Sequence, residues 1–359
     1  QKYFIRGKSC NYFQLTSQFC GEYIIPLLQE LVGYYSNRLS YKEVEKLVER
    51  ISGEKLLSDQ KIWQIIVDKA EQVSVEWQQE NEEIDKIIKT DVAISSEVDI
   101  YDPDSPEILL FDDAIGVKKQ KENREKLDKK EIDESEHISK VSRKFIITDV
   151  ILLEKPSGGF QYITSPIDSQ GKPLVPLEEM VKYQINYYYE NYEALLPIVA
   201  ITDGASNIRK RLKKLGKKGV TIILDWYHLC KKVRNLLSMI SRNKREKQEY
   251  SKNLLLYLWR GEKVQAMNYL SSQIKTRNQQ KLDELKTYLS KHKSEIIDYE
   301  HRQKAGKSIG SGRMEKAVDL VIGNRQKRKG MSWSPLGSKA LAILKVVELN
   351  GEWQQFWFR

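Results

Sequence analysis

Cysteine is scarce in this chain. Only Cys10, Cys20 and Cys230 occur among 359 residues, an odd number that argues against a disulfide framework. Cys10 and Cys20 are followed by no second pair, so zinc-ribbon spacing is absent too. The three read as reduced, structural thiols. Long apolar runs are also missing: none reaches the roughly 18–20 residues that span a bilayer, and no secretory leader is visible. The expectation is a soluble, cytoplasmic chain without a membrane partner. No internal repeat is present, and the chain opens on Gln1 rather than Met, which leaves room for an upstream segment.

What is abundant is charge. Sixty Lys and Arg stand against fifty Asp and Glu, a formal +10, with a pI near 9.1. That excess favours a polyanionic partner, although many basic proteins never touch nucleic acid. A composition 40% hydrophobic and 9% aromatic supports packed cores, and this length predicts several structural units.

Residues 22–80 predict helices. Ile24, Leu27, Leu28, Leu31 and Val32 have helical spacing, as do Val44, Leu47 and Val48. Ser40 with Glu43 three residues on has the pattern of a capping box, Ser58 opens a further helix, and Gly53 turns between them. The arrangement suits either a helix-turn-helix or an ordinary helical bundle. From residue 107 the period shortens to that of strands: Glu107 to Val117, Phe145 to Leu153 and Phe160 to Thr164, the last two joined by a turn at Pro156, Ser157, Gly158 and Gly159. The stretch from Lys118 to Lys144 is dense in charge and has no apolar face, so it reads as a solvated excursion. A helix over Leu177 to Tyr192, a strand over Ile198 to Ile201, a helix from Ser206, a strand over Val220 to Leu224 and a helix from Trp226 follow. Residues 241–300 form an all-helical insertion with Leu254, Leu255, Leu258 and Trp259 on one stripe and Leu282, Leu285 and Leu289 on another. After the glycines at 306, 310 and 312, a long helix is expected from about Met314 to Arg328. The predicted fold class is α/β, in units of 1–100 (helical, DNA-binding), 101–240 (sheet core), 241–300 (helical insertion) and 301–359 (second part of the core with a C-terminal tail). Its order of elements matches an RNase H-like mixed sheet, in which the last two strands add in parallel through helical crossovers.

Three acids occupy places that suit metal-assisted phosphoryl transfer, which needs carboxylates converging from separate elements. Asp113 lies in an apolar strand, where a charge is costly unless paired or metal-bound. It also reads as a strand-end Asp in a turn. Asp203 follows the strand ending at Ile201 and precedes Gly204, a position shared by active-site acids and by helix N-caps. Glu315 falls in a first helical turn, where a dipole contact is the ordinary role. Its surroundings are unusual: residues 301–330 carry 9 Lys and Arg against 2 acids, a basic strip that suits phosphate and metal together. Asp225 and His228, three apart at a helix start, could pair with each other, contact DNA, ligate metal, or be a cap beside a surface histidine.

Four ordered blocks carry a family resemblance: Thr202-Asp203-Gly204-Ala205, Leu224-Asp225-Trp226-Tyr227-His228-Leu229, Gly310-Ser311-Gly312-Arg313-Met314-Glu315-Lys316, and Lys329-Gly330-Met331-Ser332-Trp333-Ser334. With them the chain, over roughly residues 20–359, resembles the DDE transposases of bacterial insertion sequences and the related Mutator-like elements. The resemblance implies an RNase H-like catalytic domain with Asp113, Asp203 and Glu315 as catalytic metal ligands for two Mg²⁺ ions, Mn²⁺ substituting. Of the adjacent acids, Asp113 rather than Asp112 matches because Asp-x-x-Gly-Val resembles the family's usual continuation. It implies cleavage at terminal inverted repeats and joining of the 3′-hydroxyl to target DNA, by a homodimer or higher oligomer on double-stranded DNA in the bacterial nucleoid. Asp225 and His228 match a signature associated with DNA handling. Arg313, Lys316, Arg325, Lys327, Arg328 and Lys329 would hold phosphates, and Trp333 would either stack on a base or pack in the core. The alternatives are a host-adopted DNA-binding protein without catalysis and an RNase H-like structure-specific endonuclease.

Overall fold

The computed structural model describes residues 2–5, 8–11, 24–87, 99–121, 145–189, 196–215 and 220–358. Most of the charged excursion, Cys20 and the end of the helix expected to reach Tyr192 lie outside them. Two short strands absent from the sequence reading, β1 (Lys2–Ile5) and β2 (Lys8–Asn11), pair antiparallel at the start.

Three helices follow: α1 (Pro26–Ser36), α2 (Tyr41–Ser52) and α3 (Asp59–Ile87). The capping box at α2 is formed. Ser40 Oγ accepts the Glu43 N–H at 3.3 Å while the Ser40 N–H donates to Glu43 Oε2 at 2.8 Å, so two helix-end donors are satisfied by one another's residues. Gly53 ends α2 in the left-handed region at φ 76°, where a side chain would be strained. Along α3, Ile62, Ile66, Ala70, Val73 and Trp77 are buried, the spacing of a single helical face. That face lies against α13 (Pro335–Leu349). Leu341, Ala342, Ile343, Leu344, Val346 and Val347 of α13 are all buried, so it is apolar nearly all round and runs through the core. The residues expected as a C-terminal tail are therefore this central helix and α14 (Trp353–Trp357). Lacking a polar face, α13 carries no amphipathic period by which to recognise it.

Beside these helices stands a five-stranded mixed sheet of β3 (Ile108–Lys118), β4 (Phe145–Glu154), β5 (Phe160–Ile163), β6 (Ile198–Thr202) and β7 (Thr221–Leu224). Its order is β5-β4-β3-β6-β7. The β3–β4 and β4–β5 pairs are antiparallel, and the β3–β6 and β6–β7 pairs are parallel. The β4–β5 hairpin closes through Gly158 and Gly159, both with positive φ. Helices α4 (Leu177–Tyr189) and α5 (Ser206–Leu212) are the crossovers that lead into the two parallel additions. At the sheet edge the Asn350 side chain accepts the Tyr162 N–H at 2.9 Å and donates to the Tyr162 carbonyl at 3.0 Å. This blocks further strand pairing there.

After β7 come α6 (Trp226–Ile240), α7 (Lys244–Trp259), α8 (Lys263–Ser272) and α9 (Gln279–Lys291), with Leu254, Leu258, Leu282, Leu285 and Leu289 buried between them. The short α10 (Tyr299–Lys304) returns the chain to the sheet. The single long helix expected from Met314 to Arg328 is instead α11 (Gly312–Val318), a π-helical turn at Asp319–Gly323, α12 (Asn324–Gln326) and a 3₁₀ turn at Arg328–Gly330. The widened turn brings Asp319 over Gly323, where any Cβ would overlap the Asp319 carboxylate. No helix among the described residues is long and apolar enough to cross a membrane.

Candidate functional site

Strand register builds the site. Asp112 of β3 pairs with Thr202 of β6, and Thr202 pairs with Leu224 of β7. The next residues, Asp113, Asp203 and Asp225, therefore stand side by side at one level where β6 and β7 end. Parallel strands present their carboxyl ends together, which is why a sheet of this kind gathers polar groups there. α11, carrying Glu315, packs against β3 and β4.

The electrostatics tie three of these acids together. Burial raises the Asp113 carboxyl above its ordinary range; the Ala114 N–H at 2.7 Å and the His228 ring pull it down, while the charges of Asp203 and Glu315 raise it further. Asp203 is half-buried and accepts the Ala205 N–H at 2.8 Å, and Glu315 is exposed. Ala205, not Asp203, occupies the N-cap of α5, without a side-chain bond. The charges of Asp203 and Glu315 thus act against ionisation of the partly buried Asp113, a condition that a bound cation relieves. All three offer hard oxygen donors of the kind Mg²⁺ and Mn²⁺ take. Among the described residues, no three His, Cys, Asp or Glu side chains stand close enough to close around one ion.

His228 completes the cluster. Its ring lies 3.4 Å from Asp225, too far for a well-formed hydrogen bond but close enough for charge attraction. Asp225 is the largest influence raising the His228 pKa; burial opposes it, and Asp203 and Asp113 add to the rise. Asp225 itself is 1% exposed. It caps α6 by accepting the His228 N–H at 2.6 Å and also accepts the Ser311 N–H. Burial would raise its carboxyl, but these partners hold it below the ordinary range. Asp225 is consequently closed to DNA, a correction to its expected contact role; it orients His228 and pins the start of α11.

The adjacent acid has a different environment. Asp112 is 1% exposed and takes both ends of the Arg211 guanidinium, at 2.9 and 2.6 Å. Arg211 also reaches Asp149 at 3.1 Å. Burial pushes the Asp112 carboxyl up to about 6 against the pull of Arg211. Pleat alternation sends neighbouring side chains to opposite faces, so Asp112 meets α5 and Asp113 meets the acids.

Several supporting residues carried no sequence signal. His292 and Glu295, just beyond α9, are buried, with His292 Nδ1 2.7 Å from Glu295, and Arg209 pairs with Glu295 at 2.7 Å. Their polar atoms meet only in the fold, and nothing in a Lys-rich helical run distinguishes them. The His292 ring sits under Gly204, which has φ 84°. Tyr288 lies against His292, with ring centroids 4.6 Å apart, and its phenol is pushed up to about 12 by burial and then by Asp203. Gly204→Ala is expected to cost at least ~1–2 kcal/mol from the left-handed backbone alone, because its Cβ would also displace His292. A denaturant midpoint unchanged from wild type would show that this turn is not constrained.

The expected phosphate contacts divide by exposure. Arg313, Lys316, Lys327 and Arg328 are exposed; Arg313 also lies 5.1 Å over the Phe160 ring. The Lys329 side chain is outside the described residues. Arg325 is 5% exposed, donates to the Ser36 carbonyl at 2.7 Å and lies 4.8 Å over the Trp333 ring. Trp333 is 6% exposed and donates to the Gln326 carbonyl at 2.9 Å. Arg325 is thus a correction to the expected phosphate contacts, whereas Trp333 takes the core-packing alternative of its two readings. Arg325 and Trp333 lock α12 to the N-terminal helices, and neither phosphate nor base can reach them.

A mixed α/β protein with an acidic cluster at the carboxyl ends of its parallel strands is thus defined. The chain belongs to the uncharacterised protein family UPF0236, which it matches over residues 174–356, the span holding Asp203, His228 and Glu315. Among solved structures it is similar to the Drosophila P element transposase strand transfer complex, at 10% identity and a TM-score of 0.26, covering 95% of this chain and 83% of that one. No curated protein matches it.

Proposed function

We propose that this chain is a DNA transposase with an RNase H-like catalytic core. The observation that carries the reading is the alignment by strand register of Asp113 and Asp203 where the parallel strands end, with the Glu315-bearing helix packed on β3, in the motif order of the DDE family. Asp113, Asp203 and Glu315 would hold two Mg²⁺ ions, or Mn²⁺, whose chemistry there is to lower the pKa of water and to stabilise attacking and leaving oxygens. The chain's own residues do the rest. Asp225 fixes His228 toward the acids, the buried His292, Glu295 and Arg209 group supports the Asp203 turn, and exposed Arg313, Lys316, Lys327 and Arg328 meet DNA phosphates as positional contacts. Cleavage would free a 3′-hydroxyl at each element end for joining to target double-stranded DNA, with a homo-oligomer bridging the two ends.

Incubating the purified protein with labelled DNA from the ends of its element and Mg²⁺ tests this on one gel. Cut and joined products are expected. Cutting without joining would instead indicate an endonuclease, and binding alone a DNA-binding protein without catalysis. Binding should also weaken with salt, with log K falling by a slope of about 0.9 for each duplex phosphate neutralised. A Lys327→Gln, Arg328→Gln variant should lose close to two such increments. A flat salt response would remove DNA as the partner.

A further inference from the structure

A cavity of about 200 Å³ opens in the helical insertion, between the end of α7, the first turns of α8 and the end of α9. None of Asp113, Asp203 and Glu315 lines it. Its walls are the apolar side chains of Leu258, Val264, Ala266, Met267, Leu289 and Ile296. The charged groups beside them are Lys263 and Lys293, and among the described residues no Asp or Glu contributes to the lining.

The walls are fixed by the packing of the insertion. Gly261, at φ 68°, seats the α7–α8 turn on the backbone of Ile297 and Asp298, where any Cβ would lie 2.9 Å from the Asp298 nitrogen. The start of α8 is therefore held against the segment that carries Lys293 and Ile296. Leu258, Ala266, Leu289 and Ile296 are buried, and the small Ala266 side chain leaves the space open between its larger neighbours. Burial lowers the Lys263 ammonium below its ordinary range, and the Lys293 charge lowers it further. Among the described residues neither lysine side chain has an ion-pair or hydrogen-bond partner. Two like charges thus stand uncompensated beside an apolar space, an arrangement that a bound anion relieves.

We infer that this cavity binds a short-chain carboxylate, its head between the Lys263 and Lys293 ammonium groups and its acyl chain along the apolar walls. At about 200 Å³ the space is smaller than drug-sized sites and suits a chain of about six carbons. Each methylene removed from water favours binding in proportion to its area, and a carboxylate accepts charge-assisted hydrogen bonds from ammonium groups. A phosphate, free or in a nucleic-acid backbone, would meet the lysines but leave the apolar walls in water. A neutral apolar molecule would fill the space but leave the two charges opposed.

Calorimetric titration of the full chain with hexanoate, its neutral isostere hexanamide, acetate and inorganic phosphate tests the site. Saturable binding of hexanoate is expected, about tenfold or more tighter than hexanamide and than acetate, and tighter than phosphate. Lys293→Gln, at an exposed position, should weaken hexanoate about tenfold. Val264→Ser, where the side chain is 61% exposed, should weaken it several-fold, with the melting temperature of both variants unchanged. Hexanamide or phosphate binding as tightly as hexanoate, no gain over acetate, or wild-type hexanoate affinity in either variant would overturn the proposal. None of these readouts depends on DNA or on the acidic cluster.

Discussion

Asp203→Asn and Glu315→Gln are each expected to lower Mg²⁺-dependent cleavage of element ends by on the order of 10³-fold or more, since metal-held charge stabilisation supplies several kcal/mol of such a barrier. Binding to the same DNA should persist, because each change removes a carboxylate and no cationic contact. Asp113→Asn should do the same without loss of stability. Its folded-state pKa lies above the unfolded value because burial and the Asp203 and Glu315 charges oppose ionisation. Ionising Asp113 therefore costs stability as pH rises through the acid range, and the amide removes that cost. Asp112→Asn should differ although burial raises the Asp112 carboxyl too, to about 6, because the loss then falls on its buried partner. It strips the bidentate partner from Arg211, which is only 12% exposed, at about 1–3 kcal/mol, less than for a fully orphaned ion because Asp149 remains. Cleavage by Asp112→Asn, assayed with Mn²⁺ below its melting temperature, should stay near wild type. A dead Asp112→Asn enzyme beside an active Asp113→Asn enzyme would shift the first acid by one residue.

The largest stability loss is expected from Arg302→Met. Arg302 is fully buried. It donates to the carbonyls of Ser308 at 2.7 Å and Ile100 at 2.9 Å, and forks onto Glu107, one contact being 3.1 Å. Glu107 stands immediately before β3, so this one side chain ties the entry of the central strand to the segment that leads into Glu315. Tyr299, on the same short helix, donates to the Leu224 carbonyl at 2.7 Å and packs with Trp226 and Trp259. Removing the guanidinium leaves a buried carboxylate with Lys307 alone, at 3.2 Å, and should cost ~3–5 kcal/mol. Urea unfolding of Arg302→Met and of the double variant Arg302→Met, Glu107→Gln measures this. The double variant should recover part of the loss, because the stranded charge is gone. Equal midpoints for Arg302→Met and wild type would mean that the network contributes nothing net.

Local chemistry was readable along the chain. Ser40 and Glu43 specify their capping box within four residues, Gly158 and Gly159 specify a turn, and the alternation or apolarity of Ile108–Lys118, Phe145–Glu154 and Ile198–Thr202 specifies strands. In each case the interacting groups are sequence neighbours or repeat with the backbone's own period. Helix α13 was not readable, because a helix buried on every side has no polar face to reveal its period. The π turn at Asp319–Gly323 was equally hidden, since it answers to packing around the helix rather than to residue preference.

At the site the same division holds. Sequence by itself determined that acids occupy 113, 203 and 315, that a basic strip surrounds the last, and that Asp225 can cap the helix bearing His228. Only the tertiary structure decided that β3, β6 and β7 align Asp113, Asp203 and Asp225 at one level, because register is set by pairing between distant strands. It also decided that Asp112 belongs to Arg211 rather than to the acids, and that Arg325 and Trp333 are spent in the core while Arg313 and Lys316 remain at the surface. Residue type states what a group can do, but burial and partners, which come from residues as much as three hundred positions away, select which of those roles it fills.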